Sequence, residues 1–507
     1  MGRKEFLLSG SMVLLIMGIQ STAWGQPYRV GPFEITGFYQ FTIDSATEHA
    51  NPNNVACLAG PCYPGLQRKS GKPDLLLMRQ LLDLNIFGKF SENWSVTLEP
   101  RFFHDLTKSA DSHFRQYESL ADRFPGNGWM LRGGGNDFKA EMWQAYTDYR
   151  SGNLWVRLGK QQIAWGEALG LRVLDTVNPL ELSQNLAFDR IAEEFDRVRV
   201  PQWFLRADYT IPNAAIPDLT AELILNPGVV VPTLIPPQGS PFNVVPAFLK
   251  VKNEVNQGEP TVGGRITGSI EPVQFSLNFV TKPNDDVALV SKFIPPFGVT
   301  PQCVPAPIGP GPGPLDPSCR VALTGHHPRI YIVGGSVNYN WTWAGAVLRA
   351  ETTVTPNAPF SSTANGLPTK IVDRTVWKSV LAVDRPTYVI PGLDSMIIGF
   401  QFFEIFTGGR LAGLTDSSGS KVDNGVHIFT TFLQQPLFDK RVALEFFGFL
   451  DTDDGHWLQP GIHWEIGNNV RLNLFYNKFG GAEKRGSRFG SNLNFVNGPV
   501  FRFTFGF

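Results

Sequence analysis

Trp457-Leu458-Gln459-Pro460-Gly461-Ile462-His463-Trp464-Glu465-Ile466, then Gly467-Asn468-Asn469, then Val470-Arg471-Leu472-Asn473-Leu474-Phe475-Tyr476-Asn477 read as two strands joined by a tight turn. Leu458, Ile462, Trp464 and Ile466 share one parity, and Trp457, Gln459, His463 and Glu465 the other. In the second segment Val470, Leu472, Leu474 and Tyr476 oppose Arg471, Asn473 and Asn477. Successive side chains of a strand leave on opposite faces, so each ribbon has one greasy face and one polar face. Two further segments repeat the pattern. Trp94, Val96, Leu98 and Phe102 oppose Ser95, Thr97, Glu99 and Arg101, and Val442, Leu444, Phe446 and Leu450 oppose Arg441, Ala443 and Glu445. The interior of a soluble β-sandwich would bury Arg101, Arg441 or Arg471 at high cost. A membrane barrel with a hydrated lumen does not, whereas an arginine facing lipid at mid-depth costs about 2–4 kcal/mol.

Working outward, eighteen such segments are predicted, the first near 33–41 and the last near 499–507, with sixteen as the alternative count. Short links, among them Ser91-Glu92-Asn93, Ser151-Gly152, Glu271-Pro272, Asn340-Trp341 and Gly467-Asn468, alternate with long ones at 42–74, 105–137, 164–199, 227–260, 282–328, 354–373, 407–425 and 479–498. The fold class that follows is an all-β transmembrane antiparallel barrel with short periplasmic turns and long extracellular loops. Pro100 and Pro460 fall inside predicted strands, where each removes a ladder hydrogen bond and implies a bulge or a misplaced boundary. Trp94, Trp341, Trp343, Trp457 and Trp464 fit interfacial girdles.

Composition agrees. The chain has 39 Phe, 51 Gly and 12 Trp, which suits strands and turns, and its 44 basic and 45 acidic residues point to no nucleic-acid partner. No stretch beyond the N-terminus nears the roughly eighteen apolar residues of a spanning helix. Arg3 and Lys4, the apolar run Phe6 to Ile19, and Ala23-Trp24-Gly25 read as a secretory signal over 1–25, leaving 26–507 as a single barrel domain. Export to the outer membrane of a Gram-negative cell follows from these readings. In an oxidising compartment Cys57 and Cys62, and Cys303 and Cys319, are the expected local disulfides, although four cysteines permit three pairings. The segment Phe501 to Phe507 alternates aromatic with polar or small residues. Phe503, Phe505 and Phe507 resemble the last-strand signal that the barrel assembly machinery reads, though an edge strand of a soluble sandwich would look the same.

The most distinctive local sequence is Gly159-Lys160-Gln161-Gln162-Ile163-Ala164-Trp165-Gly166-Glu167, followed by Asn178-Pro179-Leu180-Glu181. It resembles the motif of a proteobacterial family of outer-membrane barrels classed as a domain of unknown function, in which Gly-Arg-Gln runs into Trp-Gly-Glu and then Asn-Pro-x-Asp. Lys160 and Glu181 depart from that pattern conservatively. The resemblance implies a family domain over nearly all of the mature chain and, by analogy alone, cargo of hydrophobic character.

The same motif opens the loop 164–199, crowded with Glu167, Arg172, Asp175, Glu181, Asp189, Arg190, Glu193, Glu194, Asp196, Arg197 and Arg199. Opposed fixed charges in a narrow, partly desolvated passage select what enters it. The expectation is that this loop folds inward, with Glu167, Asp175, Arg172 and Arg197 facing lumenal Arg157 and Arg206. Arg101, Gln161 and Trp165 complete the lumen candidates. The plain alternatives are that the charges solvate an outer loop and that Trp165 anchors packing. Asp451-Thr452-Asp453-Asp454-Gly455 lacks the closing Glu of a calcium loop, since Ile462 stands there, and His326-His327 lacks partners at metal-ligand spacing. No metal or other cofactor is expected, and no nucleophile elbow, phosphate loop or haem attachment motif signals an enzyme. The expected role is a channel passing small solutes through a polar lumen. The first alternative is transport of hydrophobic compounds with a periplasmic or inner-membrane exporter, for which Phe403, Phe447, Phe449 and Phe475 share parity with the polar face. A plugged receptor barrel is the second. Outer-membrane lipid and lipopolysaccharide are the expected surroundings, and a homo-oligomer stays open.

Overall fold

The structure, a computed structural model, describes residues 27–47, 74–107, 130–132, 138–182, 197–236, 242, 249–254, 258–291, 321–364, 367–452, 454–481 and 491–507. Residues 1–25 and Cys57, Cys62, Cys303 and Cys319 lie outside the described residues.

Eighteen strands form the wall: β1 Phe33–Ala46, β2 Asp74–Lys89, β3 Trp94–Asp105, β4 Phe138–Ser151, β5 Leu154–Gln161, β6 Gln202–Thr210, β7 Thr220–Asn226, β8 Thr261–Ile270 and β9 Val273–Pro283, then β10 Arg329–Trp341, β11 Ala346–Ala364, β12 Leu367–Thr387, β13 Met396–Thr407, β14 Gly425–Leu437, β15 Val442–Asp451, β16 His456–Ile466, β17 Val470–Gly480 and β18 Gly498–Gly506. Each pairs antiparallel with the next. The ring closes where β18 pairs with β1, Phe38 opposite Gly506 through Asp44 opposite Val500. Closure satisfies every wall strand on both edges, the condition for a sheet to sit in hydrocarbon.

The parity read from sequence is the inside–outside division. Arg101, Gln459, His463, Arg471 and Asn473 are buried in the lumen, whereas Leu158, Leu223, Leu277, Val333, Leu381, Leu444 and Leu474 stand exposed on the outer face. Trp94, Trp343 and Trp464 are exposed near the short-turn rim, with Tyr388 and Phe438. Trp457 is different: it lies inside, stacked on Phe479 with ring centroids 5.3 Å apart, so it belongs to the lumen and not to a girdle. Leu277 lies midway along β9 with 61% of its surface exposed. Leu277→Arg should therefore cost about 2–4 kcal/mol of barrel stability, read as a lowered denaturant midpoint in lipid vesicles.

The two strand prolines are resolved differently. Opposite Glu99 and Pro100 the register of β4 shifts, and Trp143 is the extra residue of a bulge. Lys160 donates to the carbonyl of Met142 beside that bulge at 2.7 Å. At Pro460 the β16–β17 ladder skips Gln459 and Pro460 and resumes in the same register at Gly461 opposite Phe475.

Three predicted long links contain more order than expected. Residues 354–364 and 367–373 continue β11 and β12 as a tall hairpin, bulged at Thr355/Ala358 and Ser362/Thr363. Leu249–Glu254, Ala288–Ser291 and Val321–His326 form a separate three-stranded sheet. His327 closes that sheet, its Nδ1–H donating to the Asn284 carbonyl at 2.8 Å. Burial pushes the His327 imidazole below its usual pKa. The ring stays neutral when folded, so acidification through about 6.5 protonates the opened form first and removes stability. The protection factors of amides 321–326, exchange rates divided into the intrinsic rates at each pH, should fall between about pH 7.5 and about pH 5.5, and His327→Gln should flatten that dependence.

Candidate functional site: an inward loop across the lumen

After Gln161 the chain turns into the barrel. The turn is fixed by Asn178, which is fully buried: its Oδ1 accepts from the Ile163 amide at 2.8 Å and its Nδ2 donates to the Val200 carbonyl at 2.7 Å, clamping the start of the loop to its return. Gln162 Nε2 adds a bond to the Arg199 carbonyl at 2.6 Å. Between these clamps, residues 163–177 cross the lumen and meet inward-facing side chains strand by strand.

On β7, Glu222 accepts from Trp165 Nε1 at 3.0 Å. On β9, Lys282 donates to the carbonyls of Thr176 at 2.6 Å and Val177 at 3.0 Å and pairs with Asp285 at 2.6 Å. On β10, Asn338 donates to the Glu167 carboxylate at 3.2 Å. On β11, Arg349 donates to the Glu167 carbonyl at 2.8 Å, while the Glu351 carboxylate accepts from the amides of Glu167 and, at 3.2 Å, Leu174. On β13, Gln401 accepts from the Leu169 amide at 3.0 Å and returns a bond to its carbonyl at 3.3 Å. Gly170 then passes over the Phe447 ring of β15, where a Cβ would stand 3.1 Å from it. In an eighteen-strand ring, the wall opposite β5 is β14, so the loop is a chord across the bore.

Apolar packing seats the chord on both flanks. Ile163, Trp165 and Val177 are buried against Phe204, Ile224, Val280, Ile330 and Ile332. Toward the far wall, Ala168, Leu171 and Val173 pack on a cluster containing Phe403, Phe432, Phe447, Phe449, Trp457 and Phe479. Two wall glycines make room. A Cβ on Gly263 would lie 2.9 Å from the Trp165 ring and 2.9 Å from the Phe279 carbonyl, and one on Gly334 would lie 2.8 Å from Leu174. Gly263→Val should displace Trp165, seen as a red-shifted tryptophan emission and faster proteolysis within the chord; an unchanged spectrum would refute the fit.

The remaining sector, bounded by β1–β4, Glu181 and the returning segment at Arg197 and Val198, holds a small open cleft with a cavity volume of about 60 Å³. Arg101 stands at its wall, paired with Asp83 at 2.6 Å and Glu99 at 2.7 Å and lying 4.3 Å over the Trp143 ring.

The candidate residues are placed as follows. Arg197 donates to Gln40 at 3.2 Å and lies 5.3 Å over the Phe38 ring. Asp175 pairs with Arg199 at 2.7 Å, and Arg172 donates to the Asn178 carbonyl at 2.5 Å. Arg157 pairs with Asp148 at 2.7 Å under Tyr146 and Trp155, and Arg206 with Asp208 at 3.0 Å and Glu222 at 3.1 Å. Each of these two strand arginines is thus paired with an acid on its own or an adjacent strand. Gln161 is fully buried and donates to the Phe204 carbonyl at 3.0 Å. Phe503 and Phe505 lie on the outward parity of β18, Phe505 40% exposed, with Phe507 6.4 Å from Phe505 just beyond the strand. Sequence reasoning named Asn178 within the motif without its clamping role, and missed Lys282, Arg349, Glu351 and Gln401. Inward parity on their strands was the available signal for the last four.

No curated protein matches the chain by sequence. In arrangement it is similar to the Salmonella typhi OmpF complex with daunomycin, at 8% identity and a TM-score of 0.43 over 95% of this chain and 100% of that one. It is similar also to Pseudomonas aeruginosa OccK8 (OprE), at 8% and 0.46 over 94% and 98%. Acinetobacter baumannii OccAB2 gives 9% and 0.46 over 94% and 98%. A family model matches residues 78–393, well over half of the 507 residues and a span that takes in the whole chord. The chain belongs to the family described as Protein of unknown function (DUF1302).

Proposed function

We propose that this barrel is an outer-membrane channel for small solutes, set among lipid and lipopolysaccharide, whose bore is narrowed by residues 162–182. The observation that carries the reading is the chord itself, fastened by hydrogen bonds to β7, β9, β10, β11 and β13. A passage narrowed to a few side chains selects by shape and charge far more sharply than an open bore. Planar-bilayer recording of the purified protein in potassium chloride tests the reading. Discrete single-channel steps are expected, and a silent bilayer carrying heat-modifiable, folded barrel would reject it.

The second reading, passage of hydrophobic compounds with a periplasmic partner, is favoured by the lumenal aromatic wall. Phe403, Phe447, Phe449 and Trp457 are each no more than 4% exposed and line the bore beside the chord. Liposome uptake of a neutral apolar dye, compared with efflux of a small sugar, separates the two routes.

A further inference from the structure

Within the channel reading, on which it rests, we infer that the lumen holds a station for an amphipathic organic anion, its acidic head between Arg172 and Lys378 and its apolar body on the aromatic wall.

Most lumenal cations are spent on acids: Arg101 on Asp83, Arg157 on Asp148, Arg199 on Asp175, Lys282 on Asp285 and Arg349 on Asp384. Arg172 and Lys378 are not. Arg172 donates to the Asn178 carbonyl and is drawn to Asp285, a carboxylate that Lys282 already holds at 2.6 Å, and the Lys378 ammonium makes no ion pair or hydrogen bond among the described residues. The charged groups that act on Lys378 are Asp286, itself exposed, and Arg172, which repels it. Arg172, Lys282 and Lys378 thus share two carboxylates, Asp285 and Asp286, and partly buried cations short of a counterion are costly, so an entering anion supplies the charge the cluster lacks.

Both cations stand at the border of apolar surface. Arg172 lies between Leu171 and Val173, which pack on the aromatic cluster. Lys378 shares the inward face of β12 with Val380, and its ladder partner on β13 is Ile405; both belong to or pack on that cluster. Beyond them stand Phe403, Phe447 and Phe449. Adjacent positive charge and aromatic wall complement a carboxylate, sulfonate or phenolate carrying a hydrocarbon or aryl body. They repel an organic cation and offer a sugar no alternating set of donors and acceptors. The wall is presently covered by Ala168, Leu171 and Val173, so the solute's body takes their place as it enters.

Titration calorimetry of the folded barrel in a neutral detergent, with phenylbutyrate, phenylbutanol and phenylbutylamine as matched probes, tests the station. Phenylbutyrate should bind tightest and phenylbutylamine weakest. Arg172→Gln with Lys378→Gln should weaken phenylbutyrate by roughly tenfold or more, the worth of a charge-assisted hydrogen bond, and leave phenylbutanol unchanged. Phe447→Ala with Phe449→Ala should weaken both. Heat-modifiability on gels reports that each variant is folded, and Lys378→Met, which keeps the side chain's bulk, serves if the double variant is not. Equal binding of all three probes, or phenylbutyrate binding indifferent to both cations, overturns the station, and potassium chloride conductance then leaves the channel reading standing. Charge-dependent phenylbutyrate binding in a barrel that carries no current supports the station and removes the channel.

Discussion

Alanine in place of Glu351 is expected to raise single-channel conductance several-fold, because that one carboxylate receives two backbone amides of the chord, Glu167 and Leu174. Leaving a buried amide without an acceptor costs about 1–3 kcal/mol. Two such losses rival the apolar contacts that hold residues 168–173 to the far wall. The chord then spends time away from the wall, and the bore widens. Glu351→Gln keeps one acceptor oxygen and should give an intermediate conductance, whereas Glu351→Asp should shorten the reach and resemble alanine. Unchanged conductance in Glu351→Ala would mean that the chord does not limit the current.

Arg101→Ala should produce the largest loss of stability of any single lumenal substitution, about 3–5 kcal/mol. Arg101 and Asp83 are 7% and 5% exposed, and Glu99 shares the same guanidinium. Removing the cation strands two carboxylates in a low-dielectric wall and uncovers the Trp143 ring. The denaturant midpoint of the folded barrel in vesicles measures the loss. Combining Arg101→Met with Asp83→Asn and Glu99→Gln removes the charges together and should recover most of it. Failure of that rescue would place the cost in the packing of Arg101 on Trp143.

The wall was legible in the sequence because a transmembrane strand repeats every two residues and must put its charges inward. Arg101, His463 and Arg471 could only face one way, and that fixed parity from strand to strand. Pro100 marked its bulge for the same reason, as a missing donor demands a local repair. The tall hairpin at 354–373 was not legible. Its strands continue beyond the lipid, where outward residues such as Thr369 and Asp373 need not be apolar and alternation fades. The chord was legible only as a motif followed by charge. Its partners come from five strands distant in sequence, and nothing local distinguishes a lumenal glutamate that holds a loop, such as Glu351, from one that pairs with an arginine. Arg157 and Arg206 illustrate the limit: their acids, Asp148 and Asp208, lie so near along the sheet that they are neutralised before any loop arrives.

The seam between β1 and β18 carries a consequence for biogenesis. Residues 38–44 have no partner on one edge until residues 500–506 exist, so the ring can shut only after nearly all the polypeptide has been made. Every earlier intermediate is an open sheet with two sticky margins, and such margins invite association with other chains. The sheet therefore stays unlatched until its aromatic last strand arrives, and that arrival ends the vulnerability.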